Sequence, residues 1–217
     1  MARHQYAHAA PQTGKMRRNM ALVVLAVLVV FVGIAAMLGV RFYKQAQEVK
    51  THESQAISAL SAIGDTAKLK DADASQAAIK QARQETAQAK TIAHGALWNL
   101  ASKMPYIGGD IATVQGMTEI IDDLAQQTLP SLVSEVQQLG NADLSGSEGQ
   151  LNLRPISDAQ SSFDKLNQQV QAQNKKYDKL SEPKIAAVKK AYLQGKEQLG
   201  KISELIEQVS NATHMLP

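Results

Sequence analysis

The chain of 217 residues has no cysteine. That excludes a disulfide scaffold, a thiol nucleophile and a thiolate zinc site. Six prolines and 13 glycines are too few for a collagen-like or proline-rich disordered chain. One Trp, three Phe and five Tyr leave little aromatic material, and β-branched residues are sparse outside one N-terminal run. Ala and Gln are abundant, a composition that favours helix over strand. The expected class is therefore all-α, as one domain or a small domain with an anchor.

Acid is missing from the first 44 residues, which carry six basic side chains (Arg3, Lys15, Arg17, Arg18, Arg41, Lys44). Residues 45–217 carry 17 basic against 20 acidic residues, a net charge of −3. The basic excess thus lies beside one hydrophobic segment. A nucleic-acid binder needs a basic face on its folded part, and this pattern predicts none. The short run with Lys175, Lys176 and Lys179 reads as a solvated helix face.

That hydrophobic segment, Met20 to Val40, is 21 residues without a charge. At about 1.5 Å per residue it spans ~30 Å, the thickness of a hydrocarbon core. It exceeds the apolar stretch of a cleaved signal peptide. Its small-residue pairs lie inside the run, and Arg41 follows directly, so an uncleaved signal anchor is the better fit. Lys15, Arg17 and Arg18 hold the N-terminal side in the cytoplasm. The expectation is a single-pass plasma-membrane protein, its partner the lipid bilayer. Residues 1–19 form a disordered basic tail, 20–40 the transmembrane anchor and 41–217 an extracytoplasmic helical bundle, with 44–217 fully outside.

Within the outer part the spacing predicts helices at about 41–63, 74–102, 110–139, 156–180 and 182–211. Gly64 and Gly140 stand where C-terminal caps belong. Asp110 is the expected N-cap of the third helix, and Pro130 predicts a kink or break near Leu129. Ile156, Ala159, Phe163, Leu166, Val170, Gln173, Tyr177 and Leu180 alternate spacings of three and four. Ile185, Val188, Tyr192, Gly195, Leu199, Ile202, Ile206 and Val209 do the same, and Pro183 suits an early helical position. These are the seams of an antiparallel bundle or coiled coil. The architecture expected is an elongated stalk continuing from the membrane helix.

Motifs for chemistry are scarce. Of His4, His8, His52, His94 and His214, only His4 and His8 stand four apart, and they fall in the expected disordered tail, not on the helix that zinc spacing needs. Nucleophile elbow, P-loop and dinucleotide fingerprint are all missing. Glu119, Asp122 and Asp123 share one helix face, as a solvated acidic patch or a weak cation site. Asn141, Asp143 and Ser145 mimic the start of a calcium loop, but Asn152 stands where the closing Glu belongs. No cofactor or metal is expected, and no enzyme. Trp98, with Pro105 and Tyr106 after it, is either a recognition spot or a core plug at a hairpin tip. Gly108 and Asp110 follow as a turn and helix start.

The stretch from Leu97 to Leu132 resembles the N-terminal region of an actinobacterial envelope family, the domain of unknown function 4012 family. The matching positions are Trp98, Leu100, Pro105, Gly108, Asp110, Val114, Leu124, Leu129 and Pro130. The resemblance implies a basic cytoplasmic tail, one membrane helix and a helical region outside, in a cell-envelope setting. Family members continue into a larger C-terminal domain, so this chain looks like the N-terminal part of a longer protein. The family carries no established reaction and implies no catalytic residue. Trp98, Pro105, Tyr106, Gly108 and Asp110 become the candidate interaction residues. The function expected is a structural or interaction stalk, with self-association or a protein partner at its seams and no nucleic acid. The alternative is an extracytoplasmic sensor bundle that binds a small ligand or partner and signals through another subunit.

Overall fold

A computed structural model describes residues 37–59, 72–142 and 152–214. The chain divides into a unit of Met1–Tyr43 and a unit of Lys44–Pro217. In the first unit the described residues, 37–43, are helical. The expected tail at 1–19 and most of the expected span at 20–40 lie outside the described residues. Among the described residues no helix is long and apolar enough to cross a membrane.

The described part of the second unit is all-helical, with no strand. Its elements are α1 (44–59), α2 (Ala72–Ala93), α3 (Ala96–Ala101), α4 (Gly108–Asp123), α5 (Leu129–Gly140), α6 (Arg154–Asp178) and α7 (Ala186–His214).

The apolar core lies along the α6–α7 hairpin. Ala159, Phe163, Leu166, Val170 and Tyr177 of α6 face Tyr192, Leu199 and Ile206 of α7, and Met117 and Ile120 of α4 close the cluster. Each large aliphatic or aromatic side chain buried here contributes roughly 1.5–3 kcal/mol. At one end the Tyr177 and Tyr192 rings stack with centroids 5.2 Å apart. The Tyr177 hydroxyl donates to the Tyr192 carbonyl at 2.8 Å, and burial pushes its pKa up. Gly195 makes room for that ring, since a Cβ there would sit 2.4 Å from the Tyr177 oxygen. On the other side, α2 packs on α4 and α5, with Ile79 against Val133 and Leu129 of α5. Ala82, Ala89 and Ala93 are fully covered, which lets helix axes approach while burying little area per residue.

Five sequence expectations need correcting. The helix expected over 74–102 is two: α2 ends at Ala93, and a turn at His94 and Gly95 precedes α3. Asp110 does not cap α4, which starts at Gly108 with Ile107 before it and no side-chain cap. The chain does not break at Leu129. Pro130 has no N–H for the carbonyl one turn back, and the helix widens into a π-turn over Leu124–Thr128 before α5 continues. The last helix starts at Ala186 rather than 182, with Pro183 buried in the connection before it. Ile185, just before α7, and Ile202 on it are exposed, so the seam narrows to Tyr192, Leu199 and Ile206 at seven-residue intervals, extended by buried Ser210. The Ser210 hydroxyl reaches Asp164 at 2.7 Å. A polar pair thus closes the far end of an otherwise apolar seam. Val209 is among the side chains outside the description.

Candidate functional site

The groups with chemical capacity gather in a polar layer between α1, α2 and α4. Asp122 of α4 is buried. It accepts from the Thr86 hydroxyl at 3.1 Å, from Lys90 Nζ at 2.9 Å and from Gln126 Nε2 at 3.0 Å. The bond to Asp122 raises the Lys90 pKa. Gln126 also holds α2 directly, accepting from Arg83 Nε at 2.7 Å and donating to the Arg83 carbonyl at 2.9 Å. Asp123, one residue on, pairs with Lys176 of α6 at 2.9 Å and also lies 3.9 Å from Lys90 Nζ. One helix turn of α4 is thus tied to α2 on one side and α6 on the other.

Glu53 of α1 differs from all of these. Its stem is partly exposed, yet both carboxylate oxygens are shielded and have no hydrogen-bond partner among the described residues. Burial, then repulsion from Asp122, push its pKa from the usual 4.5 to about 8. Desolvation favours the neutral form of a buried carboxyl, so Glu53 holds its proton near neutral pH. Its neighbour His52 places Nδ1 2.6 Å from Glu85 Oε2 on α2. Sequence reading passed Glu53 over. The signal was its position on the stripe that carries Val49 and Ala56, where an apolar residue belongs.

Against this geometry the chain stands by itself. No protein-family model, curated protein or solved structure matches it. The site therefore has to be read from its own residues.

The five candidate interaction residues divide. Trp98, at 2% exposure, is packed inside, as a core plug at a hairpin tip would be. Gly108 is required where it stands, because a Cβ would lie 2.4 Å from the Ser102 carbonyl oxygen. Asp110 is buried and accepts from the backbone N–H of Lys184 at 3.0 and 2.9 Å, and from that of Ile185. It caps the approach to α7, some 75 residues away in sequence, rather than its own helix. Only Pro105 and Tyr106 face solvent, Tyr106 at 92% exposure and with a φ of 69°.

The metal candidates fall only in part among the described residues. Asn141 is an exposed turn residue, and Asp143 and Ser145 lie outside the described residues. Of the acidic trio, Asp122 and Asp123 face Lys90 and Lys176, and Glu119 is exposed. Among the described residues no three His, Asp or Glu side chains are placed to hold a metal ion. His52 and His94 do not meet, since His94 Nε2 lies 3.2 Å from the Gln115 carbonyl instead. An open groove of about 890 Å³ runs between α2 and α5, lined among others by Ile79, Arg83, Gln126 and Val133.

Proposed function

We propose that the protein is a single-pass plasma-membrane protein of the cell envelope. Its N-terminus is cytoplasmic, and residues 44–217 form a non-catalytic antiparallel helical bundle outside, a stalk that holds a protein partner. The observation that carries this reading is where the polar groups go. Asp110, Asp122 and Asp123 each join one helix to another segment of the fold, and Tyr177 does the same. None of them faces a substrate-sized cleft with a second reactive group. The 21-residue uncharged run supports the anchor. So do Met37 and Val40 near its end, apolar and exposed at 60% and 58% on a helix. The resemblance to the domain of unknown function 4012 family agrees with the same plan.

The test is alkaline carbonate extraction of membranes holding the full chain, followed by photo-crosslinking from exposed positions of α6 and α7. Retention in the pellet and a discrete crosslinked partner are expected. Release into the supernatant would sink the anchor, and the absence of any adduct would sink the holding role. The groove between α2 and α5, beside the π-turn at Leu124–Thr128, favours one second reading: a sensor bundle that signals through another subunit. A small ligand that raises the melting temperature of the full chain, and loses that effect in Arg83→Ala, would support it.

A further inference from the structure

Helix α1 has a thin hold on its neighbours. The apolar side chains it buries are Val49, Ala56 and Ala59. One Val and two Ala remove little area from water. A polar tie to α2 is the contact of His52 Nδ1 with Glu85 Oε2 at 2.6 Å, which is an ion pair only while His52 is protonated.

A carboxyl stands in the middle of this contact. Glu53 follows Val49 by four residues and precedes Ala56 by three, so it lies on the inward stripe of the helix. Both its oxygens are shielded and have no hydrogen-bond partner among the described residues. Gln45, eight residues back on that stripe, likewise carries a shielded oxygen without a partner among the described residues. The inner face of α1 thus brings acceptors to a layer whose donors Thr86, Lys90 and Gln126 are directed to Asp122 instead. The charged groups around Glu53 come from three helices. Asp122 of α4 repels its ionised form. Lys90 of α2 is bonded to Asp122 and lies 3.9 Å from Asp123. On α1 itself His52 is turned to Glu85 of α2. A neutral Glu53 fits this setting. An ionised one is a buried charge beside a second carboxylate with no donor aimed at it, and such a charge is tolerated only by moving into water.

We propose that α1 is a proton-controlled latch: with Glu53 neutral it lies against α2 and α4, and loss of that proton undocks it while α4, α6 and α7 stay folded. The proposal needs neither the anchor nor a partner. Its direction follows from burial, which moves the Glu53 pKa from 4.5 to about 8 in the docked helix. Between those values the undocked helix releases a proton that the docked one keeps. The undocking equilibrium therefore rises about tenfold per pH unit across the window and levels off above it. His52 acts in the same sense, because its tie to Glu85 ceases to be an ion pair when it loses its proton. The α6–α7 seam has no counterpart: its contacts are apolar, and burial pushes the pKa of Tyr177 upward. Opening is thus confined to the least anchored helix, as local unfolding generally is.

The lack of cysteine makes the test direct. The full chain in detergent micelles carries spin-labelled cysteine pairs at exposed positions, and pulsed electron double resonance reads the distance within each pair. Ser54→Cys with Gln88→Cys reports α1 against α2, and Gln88→Cys with Gln168→Cys reports α2 against α6. The 54–88 pair should give one narrow distance at pH 6. At pH 9 it should give a longer and broader one, with the ratio of undocked to docked chains on the order of a hundredfold higher. The 88–168 distance should be the same at both. Glu53→Gln and Glu53→Leu, which cannot ionise, should keep the 54–88 distance narrow at pH 9. An unchanged 54–88 distance at pH 9 overturns the latch. A change in both pairs means that the whole unit loosens, which overturns it too. Opening of both Glu53 variants to the extent of the parent chain assigns the effect to another group and overturns the role of Glu53.

Discussion

The α6–α7 hairpin and the layer formed by α1, α2 and α4 are built from similar helices but held by different forces. The hairpin is joined by large apolar side chains in a seven-residue register, with a stacked tyrosine pair at one end. The other layer has alanines at its closest contacts and relies on charged and amide side chains: Asp122, Lys90, Gln126 and the His52–Glu85 pair. Apolar burial is non-directional and insensitive to pH. Charged ties are directional, and each carries a desolvation penalty. The comparison predicts a stable, pH-indifferent hairpin beside a layer whose strength depends on protonation.

The largest expected effect is on the hairpin. Phe163 is 1% exposed at the centre of the apolar cluster, and Phe163→Ala should lose about 3–5 kcal/mol. Denaturant unfolding of the detergent-solubilised chain, followed by far-UV circular dichroism, measures it. A loss below about 1 kcal/mol would mean that the α6–α7 seam does not hold the unit together. Next comes Asp110, where the two regions meet. Asp110→Ala leaves the Lys184 and Ile185 N–H groups without their acceptor and should cost about 2–4 kcal/mol by the same measurement. Asp110→Asn, which keeps one acceptor oxygen, should recover part of it.

Glu53 tests the pH half of the comparison. Its folded pKa of about 8 lies above the ordinary 4.5, so between those values the folded chain holds a proton that the unfolded chain releases. Stability linked to this group is therefore greatest below the ordinary value. It falls as pH rises toward about 8 and levels off beyond. Glu53→Gln should stabilise the chain at pH 8 by on the order of 2 kcal/mol and flatten the pH dependence. An unchanged slope of melting temperature against pH would show that Glu53 is not the titrating group.

How far the sequence discloses this molecule follows the same division. The α6 seam is legible because period and burial have one cause: Ala159, Phe163, Leu166, Val170 and Tyr177 recur at the helical spacing and all are buried. The π-turn is half legible, since Pro130 announces a disturbance but its lost N–H can be absorbed by widening as well as by breaking. Asp110 is misread because a carboxylate near a helix start suits a local cap, and nothing local reveals a second helix start 75 residues away. Trp98 is legible only as a pair of alternatives until packing selects the core. The links of Asp122 to Thr86 and Lys90, and of Asp123 to Lys176, span more than 30 residues each. Charged residues carry no periodic signal of who their partner is.

The smallest effect sharpens the comparison inside the polar layer itself. Two lysines bond two adjacent aspartates at the same distance, Lys90 to Asp122 and Lys176 to Asp123, both at 2.9 Å. Distance alone would make them equal. Exposure separates them: the Lys176 side chain is 51% exposed and Asp123 20%, against 35% for Lys90 and 10% for Asp122. Water competes for the first pair and salt screens it. Lys176→Met should therefore cost less than about 1 kcal/mol, and less still at high salt. Lys90→Met leaves Asp122 buried beside Glu53 with only Thr86 and Gln126 as donors, so it should cost more and respond little to salt. It should also raise the Glu53 pKa further, so that the fall of stability with pH continues to a higher pH before it levels off, which Lys176→Met should not do. Equal costs for the two lysines would show that the layer is solvated throughout and that its ties differ only in the register they set.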